Sequence, residues 1–165
     1  MRRILSRAAV VATMVLAATL AGGGAARAAD SDTSRYAPEF RAAAAADGLL
    51  HAWENQHAGG LHCTWEWLDN DWGNCDNTAG SMKNKASDLW NNGFPDPNFD
   101  DVWLHWEVNN TEAYVCIGRG TSWPALTRTS PPPAGQQRIT FWANTGRGAG
   151  EPIADNVASH EWGSC

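Results

Sequence analysis

No run of 18 or more apolar residues occurs anywhere in the 165-residue chain, so no segment reaches the roughly 20 residues that a helix needs to cross a bilayer core. Positive charge is scarce beyond the N-terminus. Arg2, Arg3, Arg7 and Arg27 lie in the first 28 residues, and the other 137 carry 8 basic against 18 acidic side chains, a net charge of −10 with His neutral. Nucleic-acid binding needs Lys and Arg to displace the counterions of phosphates, so this balance excludes nucleic acid and anionic membranes as partners of the processed chain. Two common catalytic signatures are missing as well. Neither His-Glu-x-x-His nor Gly-x-Ser-x-Gly occurs, which removes the zinc-peptidase and serine-hydrolase arrangements those motifs build. Tyr (2) and Phe (4) are few, whereas Trp numbers ten; so many aromatics exclude disorder for most of the processed chain, because disorder goes with having little to bury.

The N-terminus has the three parts of a secretory signal. Arg2, Arg3 and Arg7 open it, Ala8 to Ala21 is apolar, and Ala26-Arg27-Ala28 gives the small-x-small pattern before a cut. The expectation is a signal peptide over residues 1–28, a mature chain from Ala29, and a secreted, extracellular protein. In that compartment Cys63, Cys75, Cys116 and Cys165 imply disulfides. A zinc site would want pairs such as Cys-x-x-Cys, and here the nearest spacing is twelve. Four cysteines allow three pairings; the expected one joins Cys63 to Cys75 across a local hairpin and Cys116 to Cys165 at the C-terminus.

Residues 29–60 read as an N-terminal helical arm. Pro38 suits a first helical position, Phe40, Ala43, Ala46, Leu50 and Trp53 recur at helical spacing, and Gly59-Gly60 would end the helix. From Leu61 the period changes to two. Leu61, Cys63, Trp65 and Trp67 alternate with His62, Thr64 and Glu66; Val102, Leu104, Trp106 and Val108 with Trp103, His105 and Glu107; Ala113, Val115 and Ile117 with Tyr114 and Cys116; Ile139 and Phe141 with Thr140 and Trp142. Short alternating strands between Gly-, Asn-, Asp- and Pro-rich turns predict an all-β antiparallel sandwich or barrel over residues 61–165. Pro131-Pro132-Pro133, inside Arg128–Arg138, is barred from a central strand and marks a protruding loop or connector.

One internal match stands out. Asn84-Lys85-Ala86-Ser87-Asp88-Leu89-Trp90 aligns without gaps to Asn156-Val157-Ala158-Ser159-His160-Glu161-Trp162, sharing Asn-x-Ala-Ser-x-x-Trp, and two such copies suggest a duplicated supersecondary unit. Lys83-Asn84-Lys85-Ala86-Ser87-Asp88 and Asp155-Asn156-Val157-Ala158-Ser159-His160 resemble the Asn/Asp-Asn/Asp-x-x-Ser/Thr-Ser box of βγ-crystallin domains. Among exported proteins of that fold the chain is most similar to the actinobacterial metalloproteinase (peptidase) inhibitor family, with Cys63-Thr64-Trp65 as the short Cys-then-aromatic opening strand. The resemblance covers residues 61–165. It implies a βγ-crystallin-like double Greek-key sandwich, here with the N-terminal helix added, and two disulfides. The long stretch between Gly120 and Gly146 departs from the compact members.

In that family the box can bind calcium, because Ser hydroxyls, Asn and Asp side chains and carbonyls supply the hard oxygen ligands that Ca²⁺ takes. The resemblance nominates Asn84 and Ser87 from the first copy and Asp155, Asn156 and Ser159 from the second. Calcium is the one cofactor so suggested, and none is required. Lys83 and Lys85 depart from the pattern and repel a divalent cation; the alternative is that Ser87 and Ser159 staple hairpin turns.

No catalytic set emerges. His51, His57, His62, His105 and His160 are dispersed, and the oxygen-rich loop of Asp69, Asp71 and Asp76 lacks EF-hand spacing and reads as turns. Of the tryptophans, Trp65, Trp67, Trp90, Trp106 and Trp162 fall on strand or repeat positions and are expected in the core. Trp53, Trp72, Trp103, Trp123 and Trp142 fall elsewhere, and Trp72 and Trp123 are the candidates for an exposed binding surface. The function expected is a secreted, non-enzymatic binding protein, most specifically a peptidase inhibitor acting on an extracellular protease through Asp69–Asn77 or Ser122–Gln137. The alternatives are a polysaccharide or cell-envelope binding module using exposed Trp, and a calcium-stabilised structural protein.

Overall fold

The computed structural model describes Arg41 and residues 44–165; the expected signal peptide and the start of the expected helical arm lie outside the described residues. The chain is nearly all-β. Its strands are β1 (Leu49–Asn55), β2 (Gly59–Trp65), β3 (Asp88–Asn92), β4 (Asp101–Glu107), β5 (Thr111–Ile117), β6 (Ser122–Trp123) and β7 (Ser159–Gly163). They form two antiparallel sheets, ordered β2-β1-β3-β6 and β5-β4-β7.

Leu49–Asn55 is therefore a strand where the sequence predicted the second half of a helix, and the sheet begins inside the expected arm. Burial on both faces explains the misreading. Leu50 and Ala52 enter the main core while His51 and Trp53 are buried on the other side, so a strand covered on both faces shows no apolar–polar alternation to announce it. Gly59-Gly60 opens β2 instead of ending a helix, after a tight connection in which His57 and Ala58 take left-handed φ values of 56° and 59°. The alternation read in β2, β4 and β5 holds at Cys63, Trp65, Val102, Leu104, Val115 and Ile117, all buried in one core. The expected strand at 139–142 is only a bridge between Thr140 and Pro152, although Phe141 is buried.

Each sheet borrows from the other half of the chain. β6 follows β5 yet pairs with β3 in the first sheet. Asp69 follows β2 yet exchanges backbone hydrogen bonds of 3.1 and 2.9 Å with His160 at the edge of the second. The backbone bonds of the two turns correspond. Asn84 N–H donates to the Val157 carbonyl and Asp155 N–H to the Ala86 carbonyl; Lys85 N–H donates to Met82 and Asn156 N–H to Ile153. This pairing equates Asn84 with Asp155, one residue out of step with the sequence match of Asn84 to Asn156. A one-residue slip turns a strand's side chains to opposite faces. Accordingly Trp90 packs with Trp53 and Ala58 on the outer side of its sheet, while Trp162 packs on the main core.

The disulfides are Cys63–Cys75 and Cys116–Cys165, with Cα separations of 5.2 and 6.5 Å, the pairing that the sequence suggested. The triproline segment is exposed. Among the described residues no helix is long and apolar enough to cross a membrane.

Candidate functional site

The end of β2 delivers an apolar groove. Beyond Trp65 the chain leaves the sheet and turns Trp67 and Leu68 outward, 73% and 57% exposed; Phe94 and Phe99, in the turn-rich connection between β3 and β4, are 60% and 63% exposed. With Trp162, Glu66 and Asp96 they line a groove of about 500 Å³. Trp67 was expected in the core as the next residue of an alternating strand, but β2 ends at Trp65 and alternation has no meaning beyond it. Trp142, less exposed at 44%, is the one other exposed large hydrophobic side chain among the described residues. Soluble chains rarely leave so many large apolar side chains together in water without a partner to cover them.

The groove's rim is held from behind. Trp72 is fully buried and stacks on Trp65 at 4.5 Å. Its indole N–H can only donate, so Nδ1 of His160 accepts it at 2.8 Å and Nε2 carries the ring proton, donated to the carbonyl of Trp67 at 3.0 Å. Burial drives the His160 pKa down to about 3, against the opposing bond to the Trp67 carbonyl; the ring stays neutral and this tautomer is fixed. The Cys63–Cys75 bridge closes the same loop. Backbone bonds from Trp72 N–H to Ala158, and from Met82 and Lys83 N–H to Trp72, pin it further. Asp69 and Asp71 accept the N–H groups of Asp71 and Gly73, as turn residues do.

The expected binding pair does not form a surface. Trp72 has no exposure, which corrects its nomination, because a wholly covered ring cannot meet a ligand. Trp123 is half-buried against the main core. Trp53, expected on the helical arm, is buried on β1. The residues that sequence reasoning missed, Leu68, Phe94 and Phe99, carried one signal: large apolar side chains inside stretches otherwise made of Asp, Asn, Pro and Gly.

The five residues nominated for calcium do not converge. Ser87 donates its hydroxyl to Asp155 Oδ1 at 3.2 Å, the one contact that joins the two boxes through such side chains. Asn84 is exposed on a left-handed turn, φ 55°. Asn156 donates to the Pro152 carbonyl. Ser159 is buried, donating to the Glu107 carbonyl at 2.6 Å and accepting from Asn110 N–H at 3.1 Å, so it staples the β4–β5 turn. By the correspondence of the two turns, Ala158 takes the place of Ser87, and the second position lacks its hydroxyl. Lys83 pairs with Asp71 at 3.3 Å. These residues do not fit a calcium pair. Among the described residues the one group of three potential metal-ligating side chains, Asp101, Cys116 and Cys165, contains both sulfurs of a disulfide.

A second polar cluster lies on the outer face of the first sheet. Arg41 makes two bonds of 2.7 Å to Asp88, its guanidinium 4.5 Å from the centre of the Trp53 ring. His51 contacts Asp47 at 3.0 Å and His62 at 3.1 Å. Burial raises the Asp88 pKa, with Arg41 and the Ala58 N–H opposing.

No protein-family model matches the chain, and no curated protein matches it in sequence.

Proposed function

We propose that this is a secreted, non-enzymatic binding protein, a peptidase inhibitor of βγ-crystallin type, whose groove of Trp67, Leu68, Phe94, Phe99 and Trp162 receives an extracellular peptidase. The observation that carries the reading is the convergence of four highly exposed apolar side chains on one groove. Trp67 and Leu68 lie inside the Cys63–Cys75 ring, within a loop held by Trp72 and His160. A loop fixed before binding loses little freedom on docking, the economy that tight protein inhibitors exploit. Glu66 and Asp96 flank the groove and match a partner surface that is apolar with a basic margin. The double Greek-key reading is supported by the exchange of β6 and Asp69 between sheets and by the paired turns at Asn84 and Asp155. The two disulfides are compatible with export.

The test is inhibition of thermolysin-like and subtilisin-like enzymes by micromolar mature protein, with Trp67→Ala and Leu68→Ala alongside. Inhibition that both variants weaken is the expected result. Full activity of every enzyme tested, or inhibition indifferent to both substitutions, overturns the reading. The polysaccharide alternative has lost its nominated surface, since Trp72 is buried and Trp123 half-buried.

A further inference from the structure

The outer faces of the two sheets correspond residue by residue. In the first sheet His51 pairs with Trp90, and Trp53 with Asp88 and His62; in the second, Trp103 pairs with Glu161, and His105 with Ser159 and Tyr114. The first face is occupied. The buried guanidinium of Arg41 lies over Trp53 and Trp90, 4.5 and 5.7 Å from their ring centres, and is clamped by Asp88. At the corresponding place the second face has an open cleft of about 260 Å³ lined by Trp103, His105, Tyr114 and Glu161. It offers related chemistry, aromatic rings beside one carboxylate, redistributed over equivalent strand positions.

The cleft is built. Gly163 has no side chain to collide with Trp103, whose ring atoms would stand 2.9 Å from a Cβ there. Trp103 meets Tyr114 and Trp142 edge-on at 5.4 and 5.3 Å, and Trp142 N–H donates to the Tyr114 carbonyl at 3.0 Å. Glu161, its side chain 45% exposed, touches His105 Nε2 at 3.3 Å. Farther along β4, Glu107 is already paired with Arg147 at 2.9 Å. Burial lowers the His105 pKa despite Glu161, so near neutral pH the imidazole is uncharged and the Glu161 charge is left uncompensated.

We propose that this cleft binds a guanidinium group, that of an arginine side chain offered by a partner protein, as the chain's own Arg41 is bound on the twin face. A planar, weakly hydrated cation suits both parts of the site, stacking on rings and bonding a carboxylate. The net charge of −10 beyond residue 28 favours a cationic partner. The proposal is independent of the groove around Trp67, with which the cleft shares no lining residue.

The test follows the indole N–H signals of Trp103 and Trp142 by heteronuclear NMR while N-acetyl-arginine methylamide is titrated into the mature protein. The neutral isostere N-acetyl-citrulline methylamide and the sugar N-acetylglucosamine are run in parallel. Saturable shifts with a dissociation constant on the order of 1–10 mM are expected for one exposed carboxylate and two rings. Citrulline should bind about tenfold more weakly for want of charge. Glu161→Gln, with an unchanged melting temperature, should reduce arginine binding to the citrulline level. No shift with arginine overturns the proposal. An equal response to citrulline overturns the charge argument without recourse to a variant, and a response to the sugar alone reassigns the cleft to polysaccharide.

Discussion

Nδ1 of His160 accepts the indole N–H of Trp72 at 2.8 Å with both rings wholly buried, and this fixes the opposite nitrogen as a donor to the backbone of the loop carrying Trp67. One imidazole thus joins core to groove. His160→Ala should leave the Trp72 N–H and the Trp67 carbonyl unsatisfied and open a cavity, a loss of about 2–4 kcal/mol. Urea denaturation of the variant against the parent measures it.

The same ring makes stability depend on pH. With a pKa of about 3 in the fold and the ordinary value of about 6.5 in the unfolded chain, His160 binds fewer protons when folded. Its contribution is complete above pH 6.5 and declines as pH falls toward 3, by up to about 1.4 kcal/mol per unit. His105, lowered by burial, acts in the same direction, whereas Asp69, Asp88 and Asp155, raised by burial, oppose it in the carboxylate range. Melting temperatures between pH 7 and 5 should therefore fall more steeply for the parent than for His160→Gln. Equal slopes would remove His160 as the cause.

Arg41→Ala should expose the cost of the buried Asp88. Stripping one partner from a buried ion pair leaves an uncompensated charge, at about 3–5 kcal/mol. Arg41→Lys should recover only part, because an ammonium lacks the fork that makes two bonds to one carboxylate. Thermal melts of both variants decide the order.

Trp67→Ala should change stability by no more than about 0.5 kcal/mol, as for exposed positions generally, while weakening the proposed inhibition. A large fall in melting temperature would instead assign Trp67 a structural role.

Calcium at millimolar concentration is expected to leave the melting temperature unchanged. Ser87 already donates to Asp155, burial raises the Asp155 pKa, and Ala158 replaces the hydroxyl that a second position would need. Any ligand that bound only the native state would raise the melting temperature by mass action. A rise of several degrees would restore Asp155 and Ser87 as ligands.

What the sequence made legible follows the physics of each signal. β2, β4 and β5 each have one face on the core, so their alternation was visible at Cys63, Leu104 and Val115. The disulfides followed from an even cysteine count and the expectation of export. β1 was misread because both of its faces are covered, one by the core and one by Trp90 and Arg41. The repeat was detected through identical letters, but the structure equates positions by backbone bonds, and Asn84 corresponds to Asp155. His160 looked unremarkable because its importance lies in contacts with Trp72 and Trp67, 88 and 93 residues away in the chain. The groove escaped for the same reason: Trp67 and Phe99 become neighbours only once the sheets have formed.

The exchange of edge pairing has a consequence for a cut chain. Both disulfides close within one half, Cys63–Cys75 in the first and Cys116–Cys165 in the second, so no covalent link other than the peptide backbone joins the halves. A protease nick in the exposed stretch from Phe94 to Phe99 would therefore yield two fragments that remain clasped, each filling the open edge of the other. Separated under denaturant, neither fragment could complete its own sheet, and remixing them should reconstitute the fold as a two-chain complex.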